Sequence, residues 1–296
     1  IKNKNFFNNY DEEIFILENI RFYSEEEQND IEFAKLLSSL GDMYVNDAFS
    51  CSHRAHASIY ELPKFLPSFS GLQLDSEVNA LNKITSEITR PITCIIGGSK
   101  ISTKINIIKN LISKFDNIII VGGMANNILY FNGINIGKSI KDVSCEKIVK
   151  DIFDISKKHS CIISYPEDVM VGKSFDDKPK TKELNQITNS DFILDIGPKT
   201  INKIKDIIEN SQTILWNGPA GYFENPNFAK GSYEIAKKII KKNKSKSIYS
   251  VIGGGDTIAV INQINAIKDF NFVSTAGGAF LEYLEGKELP GIKALK

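Results

Sequence analysis

No stretch of about 18 apolar residues occurs anywhere in the 296 residues, which removes a membrane-spanning helix by length alone. Nor is there an excess of charge of either sign. With 36 Lys+Arg against 36 Asp+Glu, no net field is available to hold nucleic acid or an anionic membrane, so any anion site must be local. Cysteine is scarce: Cys51, Cys94, Cys145 and Cys161 form no C-x-x-C pair, which excludes a zinc ribbon or a dithiol redox motif and leaves buried or idle thiols. G-x-G-x-x-G follows no strand, so the usual dinucleotide fingerprint is missing, and Gly133 to Ser139 is a P-loop look-alike one residue too short. The opening residues, IKNKNFFNNY, lack the apolar stretch and cleavage site of a secretory leader. Internal repeats and low-complexity linkers are also lacking. The expectation is a soluble, cytoplasmic chain with no nucleic-acid or membrane partner. Its 42% hydrophobic and 24% charged residues are ordinary globular composition, and its length suits about two domains.

From Pro91 onward one pattern recurs: a short β-rich apolar run, a glycine-bearing turn, then a helical stretch. The runs are ITCIIGG (92 to 98), NIIIVGG (117 to 123), SCIISYP (160 to 166), DFILDIGP (191 to 198), TILWNGP (213 to 219), SIYSVIGGG (247 to 255) and FNFVSTAGG (270 to 278). Runs apolar on both faces predict strands covered on both sides, and helix-length spacers predict parallel crossovers. That is α/β architecture, a doubly wound parallel sheet with helices on both faces. Before Pro91 the register changes: a strand over 14–22, an acidic helix over 24–41, a strand over 42–49, then a basic loop, SHRAHAS. Two strands do not make a stable domain, so this part reads as a partial α/β N-terminal lobe. The division expected is a remnant lobe at 1–74, a joining helix at 75–89 with Val78, Leu81, Ile84 and Ile88 on one face, a C-terminal lobe at 90–275, and a closing segment at 276–296.

Open parallel sheets bind ligands outside the carboxyl ends of their strands. Here those ends carry Gly97-Gly98, Gly122-Gly123, Gly197, Gly218 with Gly221, Gly253-Gly254-Gly255 and Gly277-Gly278, all expected on one rim. A glycine there is either a tight turn or a place where backbone approaches a base or a phosphate at a helix start. Lys100 and Lys104, four apart after a strand, predict two ammonium groups on one helix face, which repel unless an anion lies between; an amphipathic surface helix is the other reading. Asp256 admits an N-cap or a contact to phosphate-bound Mg²⁺. Arg21 and Arg54 suit an acidic small substrate, because arginine forks match phosphate or carboxylate. His53 and His56 flank Arg54 with no partner legible in the sequence.

The chain resembles phosphoglycerate kinase through LENIRFYSEEE, GDMYVNDAFSCSHRAHAS, KFLPSFSGL, GGSKISTK, IIVGGMA, LWNGPAGYFE, FAKGS, IGGGDT, STAGG and LEGKELPG, in the family's order. The resemblance implies two lobes that close, with 3-phosphoglycerate on the N-terminal lobe and Mg-nucleotide on the C-terminal lobe. By position, Arg21 and Arg54 look like the arginines that hold the acid. Lys100 looks like the lysine that follows the migrating phosphoryl group, and Lys104 like its partner on the nucleotide phosphates. Gly98, Gly122, Gly123 and Pro219 match positions beside adenine. Asn217 matches a residue near the phosphates, Glu224 the ribose carboxylate and Asp256 the carboxylate associated with Mg²⁺. Gly253, Gly254, Gly255 and Thr257 match the phosphate-binding turn, and Gly277 with Gly278 the last glycine turn. Catalysis is thereby assigned to Lys100, Arg21, Gly254 and Gly277.

The family usually has Asp where Thr103 stands, and Gly where Val121 and Ala276 stand. The family's opening segment has no counterpart before Ile1, so the chain reads as N-terminally incomplete. The reaction implied is reversible phosphoryl transfer from 1,3-bisphosphoglycerate to ADP, giving 3-phosphoglycerate and ATP, with Mg²⁺ accompanying the nucleotide and the chain acting as a monomer. The alternative is a nucleotide-binding module without turnover.

Overall fold

The computed structural model describes residues 12–295, and the opening stretch read above for a leader lies outside them. The chain divides into two compact units: the residues up to Asn79 together with those from Lys287, and Ala80–Gly286.

In the first unit, the strand expected over 14–22 is absent. Ile14 and Ile16 are 82% and 95% exposed, no neighbouring strand supplies hydrogen bonds among the described residues, and Arg21 lies in a 3-10 turn, Ile20–Phe22. The helix expected over 24–41 is broken in two, α1 (Ser24–Glu27) and α2 (Ile31–Ser38). Asn29 takes a left-handed φ of 56°, and Asp30 then caps α2 by accepting from the Phe33 N–H at 2.7 Å. Phe33, Ala34 and Leu37 of α2 pack with Ala57 and Leu62. The strand read at 42–49 is shorter, β1 (Tyr44–Asn46), and pairs in parallel with β2 (Ser68–Ser70), which the sequence did not announce. Helix α3 (Leu72–Thr85) starts earlier than expected because Asp47 Oδ1 accepts from the Gln73 and Leu74 N–H groups at 2.7 and 2.9 Å. The short helix Pro290–Lys293 belongs to this unit: the Gly291 N–H donates to the Ser52 carbonyl at 2.8 Å.

The second unit follows the doubly wound plan. Its elements are β3 (Ile92–Ile96), α4 (Ile105–Ile112), β4 (Asn117–Ile120), α5 (Gly122–Phe131), α6 (Cys145–His159) and β5 (Ile162–Ser164). There follow β6 (Asp168–Gly172), β7 (Lys180–Glu183), β8 (Phe192–Ile196), α7 (Pro198–Asn210), β9 (Thr213–Asn217), α8 (Lys230–Lys244), β10 (Tyr249–Gly253), α9 (Gly255–Gln263), β11 (Phe272–Ser274) and α10 (Gly277–Leu284). Six strands form one parallel sheet in the order β11-β10-β9-β3-β4-β5. All five residues of β3 and of β9 are buried, as strands covered on both faces must be. Trp216, Ile95, Ile119, Ile214 and Ile252 sit within one apolar cluster with the inner faces of α7, α8 and α9. Fully burying each such side chain is worth roughly 1.5–3 kcal/mol, which is what holds helices of mixed composition against the sheet.

The run at 191–198 does not join that sheet. It is β8, paired antiparallel with β6, which pairs antiparallel with β7. Gly197 is therefore not on the parallel rim: a Cβ there would lie 2.2 Å from the Asp168 carboxyl. The small sheet is locked by Asp191, 1% exposed at its side chain, which binds Lys173 and Lys182, each at 2.7 Å, and the Thr188 N–H. These donors hold its carboxyl far below the usual range despite burial. The look-alike at Gly133 to Ser139 is followed by turns, with no helix until Cys145, so it offers no helix N-terminus to a phosphate. Cys94, Cys145 and Cys161 are buried and Cys51 is partly so. Burial pushes the Cys94 and Cys161 thiols up, the latter to about 12.

Candidate active site

The strand order reverses between β3 and β9. After β3 the chain proceeds to β4 and β5 on one side, and after β9 to β10 and β11 on the other, so the turns leaving these neighbours part and open a crevice. Glycine is required there by close approach: a Cβ on Gly97 would lie 2.2 Å from the Pro219 carbonyl, and one on Gly218 would lie 2.2 Å from the Gly97 carbonyl.

A cleft of about 370 Å³, within the range of small-molecule sites, opens at this point. Gly98, Gly122, Gly123, Pro219, Gly221, Glu224 and Asp256 line it, so seven of the residues singled out in the sequence share one cavity. Ile140, Phe175, Phe192 and Tyr222 complete an apolar wall, with the Phe175 ring tilted against Phe192 at 5.2 Å and meeting Tyr222 edge-on at 5.1 Å. These side chains carried no signal in the sequence, because they come from the antiparallel sheet and the loops around it. One side of the slot is thus bare backbone, which admits a flat ring, and Glu224 and Asp256 add exposed carboxylates.

Behind the cleft lies a network that the sequence did not foretell. Asn217 is 2% exposed; its Nδ2 donates to the Gly253 carbonyl at 2.9 Å, and its Oδ1 accepts from Lys104 Nζ at 2.6 Å. Lys104 Nζ also donates to the Gly97 carbonyl at 2.7 Å, so its ammonium ties β3 to β9. Burial lowers its pKa from 10.5 to about 8, opposed by Cys94 and Asp256. The predicted pairing of Lys100 and Lys104 on one helix face is not what forms. Lys100 precedes the 3-10 turn Ser102–Lys104 and is exposed, whereas Lys104 turns inward because strand-end carbonyls offer it acceptors. Thr103 donates to the Lys100 carbonyl at 2.8 Å.

Gly254 takes φ +92°, and a Cβ there would approach Asn217 Nδ2 to 2.8 Å; Gly255, with open space beside it, begins α9. That helix start carries Asp256 in its first turn and is suited to an anion. Thr257 is fully buried, its Oγ1 accepting from the Gly218 N–H at 2.6 Å, so it ties the turn to β9 with its side chain. Gly253 is packed under Phe280. Gly277 and Gly278 are exposed at the start of α10, outside the cleft lining.

Arg21 and Arg54 belong to the first unit. Arg21 Nη2 lies 3.7 Å from Cys51 Sγ, and the Arg54 N–H donates to the Cys51 carbonyl at 3.0 Å. His56 is held below its ordinary pKa, first by burial and then against the pull of the buried Glu26, with both arginines adding to the lowering. Both arginines are exposed. Glu26 accepts from Ser58 Oγ at 2.6 Å and faces His56 Nδ1 at 3.8 Å, which supplies the partner the sequence left unnamed.

The sequence pattern of the family described as phosphoglycerate kinase matches residues 2–287. The chain belongs to the phosphoglycerate kinase family. It is 47% identical over 284 residues to the phosphoglycerate kinase of Wolbachia pipientis from Culex pipiens, spanning 95% of this chain and 72% of that protein. It is 45% identical over 285 residues to that of Zymomonas mobilis, spanning 96% and 72%. The structure of phosphoglycerate kinase from Coxiella burnetii superposes with a TM-score of 0.90 at 37% identity, covering 94% of this chain and 71% of that one. The α/β fold with its helix-flanked parallel sheet is the one these relatives share. The chain is accordingly a phosphotransferase of the glycolytic reaction, exchanging a phosphoryl group between 1,3-bisphosphoglycerate and ADP. The alternative of a module without turnover is not favoured by these relatives.

Proposed function

We propose that the cleft at the β3/β9 switch point holds the adenosine of ADP or ATP, with Gly98, Gly122, Gly123 and Pro219 against the base and Glu224 on the ribose. The phosphates then run towards Gly253, Gly254, Gly255 and Asp256, where the start of α9 offers free N–H groups. Asn217, Lys104 and Thr257 act from behind, fixing the strand ends on which the turn depends. The observation that supports this reading most is the convergence of Gly98, Gly122, Gly123, Pro219, Glu224 and Asp256 on one cavity beside a helix start.

Asp256 fits a magnesium ion carried by the nucleotide. It is exposed, and Mg²⁺ usually takes one or two carboxylates with water and phosphate oxygens completing the shell. Among the described residues no group of three or more His, Cys, Asp or Glu is arranged to hold a metal, so protein and phosphates would share the ion. When bound, it neutralises charge on the phosphate oxygens.

Arg21 and Arg54 are assigned to the phosphate and carboxylate of 3-phosphoglycerate, because both are exposed on the first unit and an arginine fork matches either group. Lys100, which is exposed, is assigned to the migrating phosphoryl group, with Arg21, Gly254 and Gly277 completing the catalytic set. Such transfer needs in-line placement and charge neutralisation, and no general base, because the acceptor oxygen of ADP is already anionic. We further assign the chain to the cytoplasm, acting as a monomer without nucleic-acid or membrane partners. The balanced charge supports the lack of a nucleic-acid partner, and no helix among the described residues is long and apolar enough to cross a membrane. Lys100→Ala tests the central assignment: kcat should fall far more than MgADP affinity, and equal losses in both would contradict it.

A further inference from the structure

Lys100 is the one assigned catalytic side chain on a loop, so something must hold its root. The Gly98 carbonyl accepts from the Met124 N–H at 2.9 Å, which fixes the near end of the loop directly to α5. The far end is fixed at one remove. The Ser102 N–H donates to Asp142 Oδ2 at 2.8 Å, and the Asp142 N–H donates to Asn127 Oδ1 at 2.8 Å. Asn127 is fully buried on α5, and its neighbour Asn126, 1% exposed, donates to the Ile140 carbonyl at 3.0 Å. The segment from Ile140 to Asp142 is thus stitched to α5 at two points, and Asp142, only 8% exposed, passes that fixation across 40 residues of sequence to Ser102.

We propose that Asp142 is a positioning residue for Lys100. Its carboxylate holds the Ser102 N–H and so suspends Lys100 between two anchors on α5, the helix whose N-terminal glycines line the cleft. The Lys100 side chain stays exposed while the backbone on either side of it is held. Asp142 touches neither nucleotide nor acid in this scheme; it acts through the loop. The proposal rests on the assignment of Lys100 given above, and the two are separable by experiment.

The test uses Asp142→Ala, Asp142→Asn and Lys100→Ala in the full chain, singly and with Lys100→Ala combined with Asp142→Ala. Misplacing a reacting group by about 1 Å costs up to about a hundredfold, so Asp142→Ala should lower kcat at saturating substrates by about tenfold or more. MgADP affinity should fall far less than kcat, because Ser99 is the one residue of the loosened loop that lines the cleft. Asp142→Asn keeps an acceptor oxygen for Ser102 and should recover kcat to within about threefold. In the Lys100→Ala background, Asp142→Ala should add nothing, since the group it positions is gone. A kcat for Asp142→Ala within about twofold of the parent, or an equal fall in both backgrounds, overturns the proposal. If Lys100→Ala alone leaves kcat intact, the assignment of Lys100 fails, and hydrogen exchange decides the anchoring separately. Amides from Ser99 to Thr103 should then lose protection in Asp142→Ala while those of α4 after Ile108 keep theirs; unchanged protection overturns it. Should Asp142→Ala fail to fold, Asp142→Glu against Asp142→Asn gives the same reading: the longer acid displaces the loop and lowers kcat, and equal rates in the two overturn the proposal.

Discussion

Asn217→Ala is the substitution whose cost follows most directly from the geometry. The buried amide makes two bonds that nothing else in the site replaces: it accepts from the Lys104 ammonium at 2.6 Å and donates to the Gly253 carbonyl at 2.9 Å. The first is charge-assisted and worth about 1.5–3 kcal/mol, and the second leaves a buried carbonyl unsatisfied at about 1–3 kcal/mol. Truncation should therefore destabilise the second unit by about 2.5–6 kcal/mol, which at this size lowers Tm by roughly 5–24 °C. MgADP affinity should fall as well, because the Gly254 turn loses the side chain packed beside it. Asn217→Asp keeps the oxygen facing Lys104 but sets a second carboxylate oxygen against the Gly253 carbonyl, so it should be destabilising as well. Urea denaturation followed by Trp216 fluorescence gives the stability, and titration calorimetry the affinity. A loss below about 1 kcal/mol for Asn217→Ala would refute the claim that this network holds the strand ends together.

Three further outcomes are expected. Arg54→Ala should weaken 3-phosphoglycerate while sparing MgADP, read as a rise in KM for the acid alone in a coupled assay; unchanged acid affinity would contradict the assignment. Lys104 carries its proton below about 8 in the free protein and loses it above, so its contribution to nucleotide affinity should be whole at pH 7 and decline towards pH 9, with a flatter profile in Lys104→Met. The linked stability runs the other way: between about 8 and 10.5 the unfolded chain holds a proton the folded chain has released, so this group makes stability rise with pH over that window.

The parallel sheet was readable because its central strands bury both faces, which writes continuous apolar runs such as ITCII and TILWN into the chain, each ending in glycine. What those runs do not encode is the partner of each strand. Phe192–Ile196 is as apolar as its neighbours, yet it pairs antiparallel with Asp168–Gly172, and Lys180–Glu183 reads KTKE, with nothing in it that announces a strand. The same limit applies at the site. Gly98, Gly122, Gly123 and Asp256 were legible because local turns place them on the rim, whereas the inward turn of Lys104 depends on Asn217, 113 residues away, and on carbonyls whose approach is tertiary. The apolar run Ile14 to Leu17 reads like a strand, but among the described residues no strand pairs with it, and Ile14 and Ile16 stay exposed.

The most direct test of the account is a crystal structure of the chain with MgADP. The base should lie between Gly98, Gly122 and Pro219, the ribose hydroxyls on Glu224, and the diphosphate at the amides from Gly254 to Asp256. A nucleotide bound away from the β3/β9 crevice, or one whose phosphates point away from the start of α9, would contradict it.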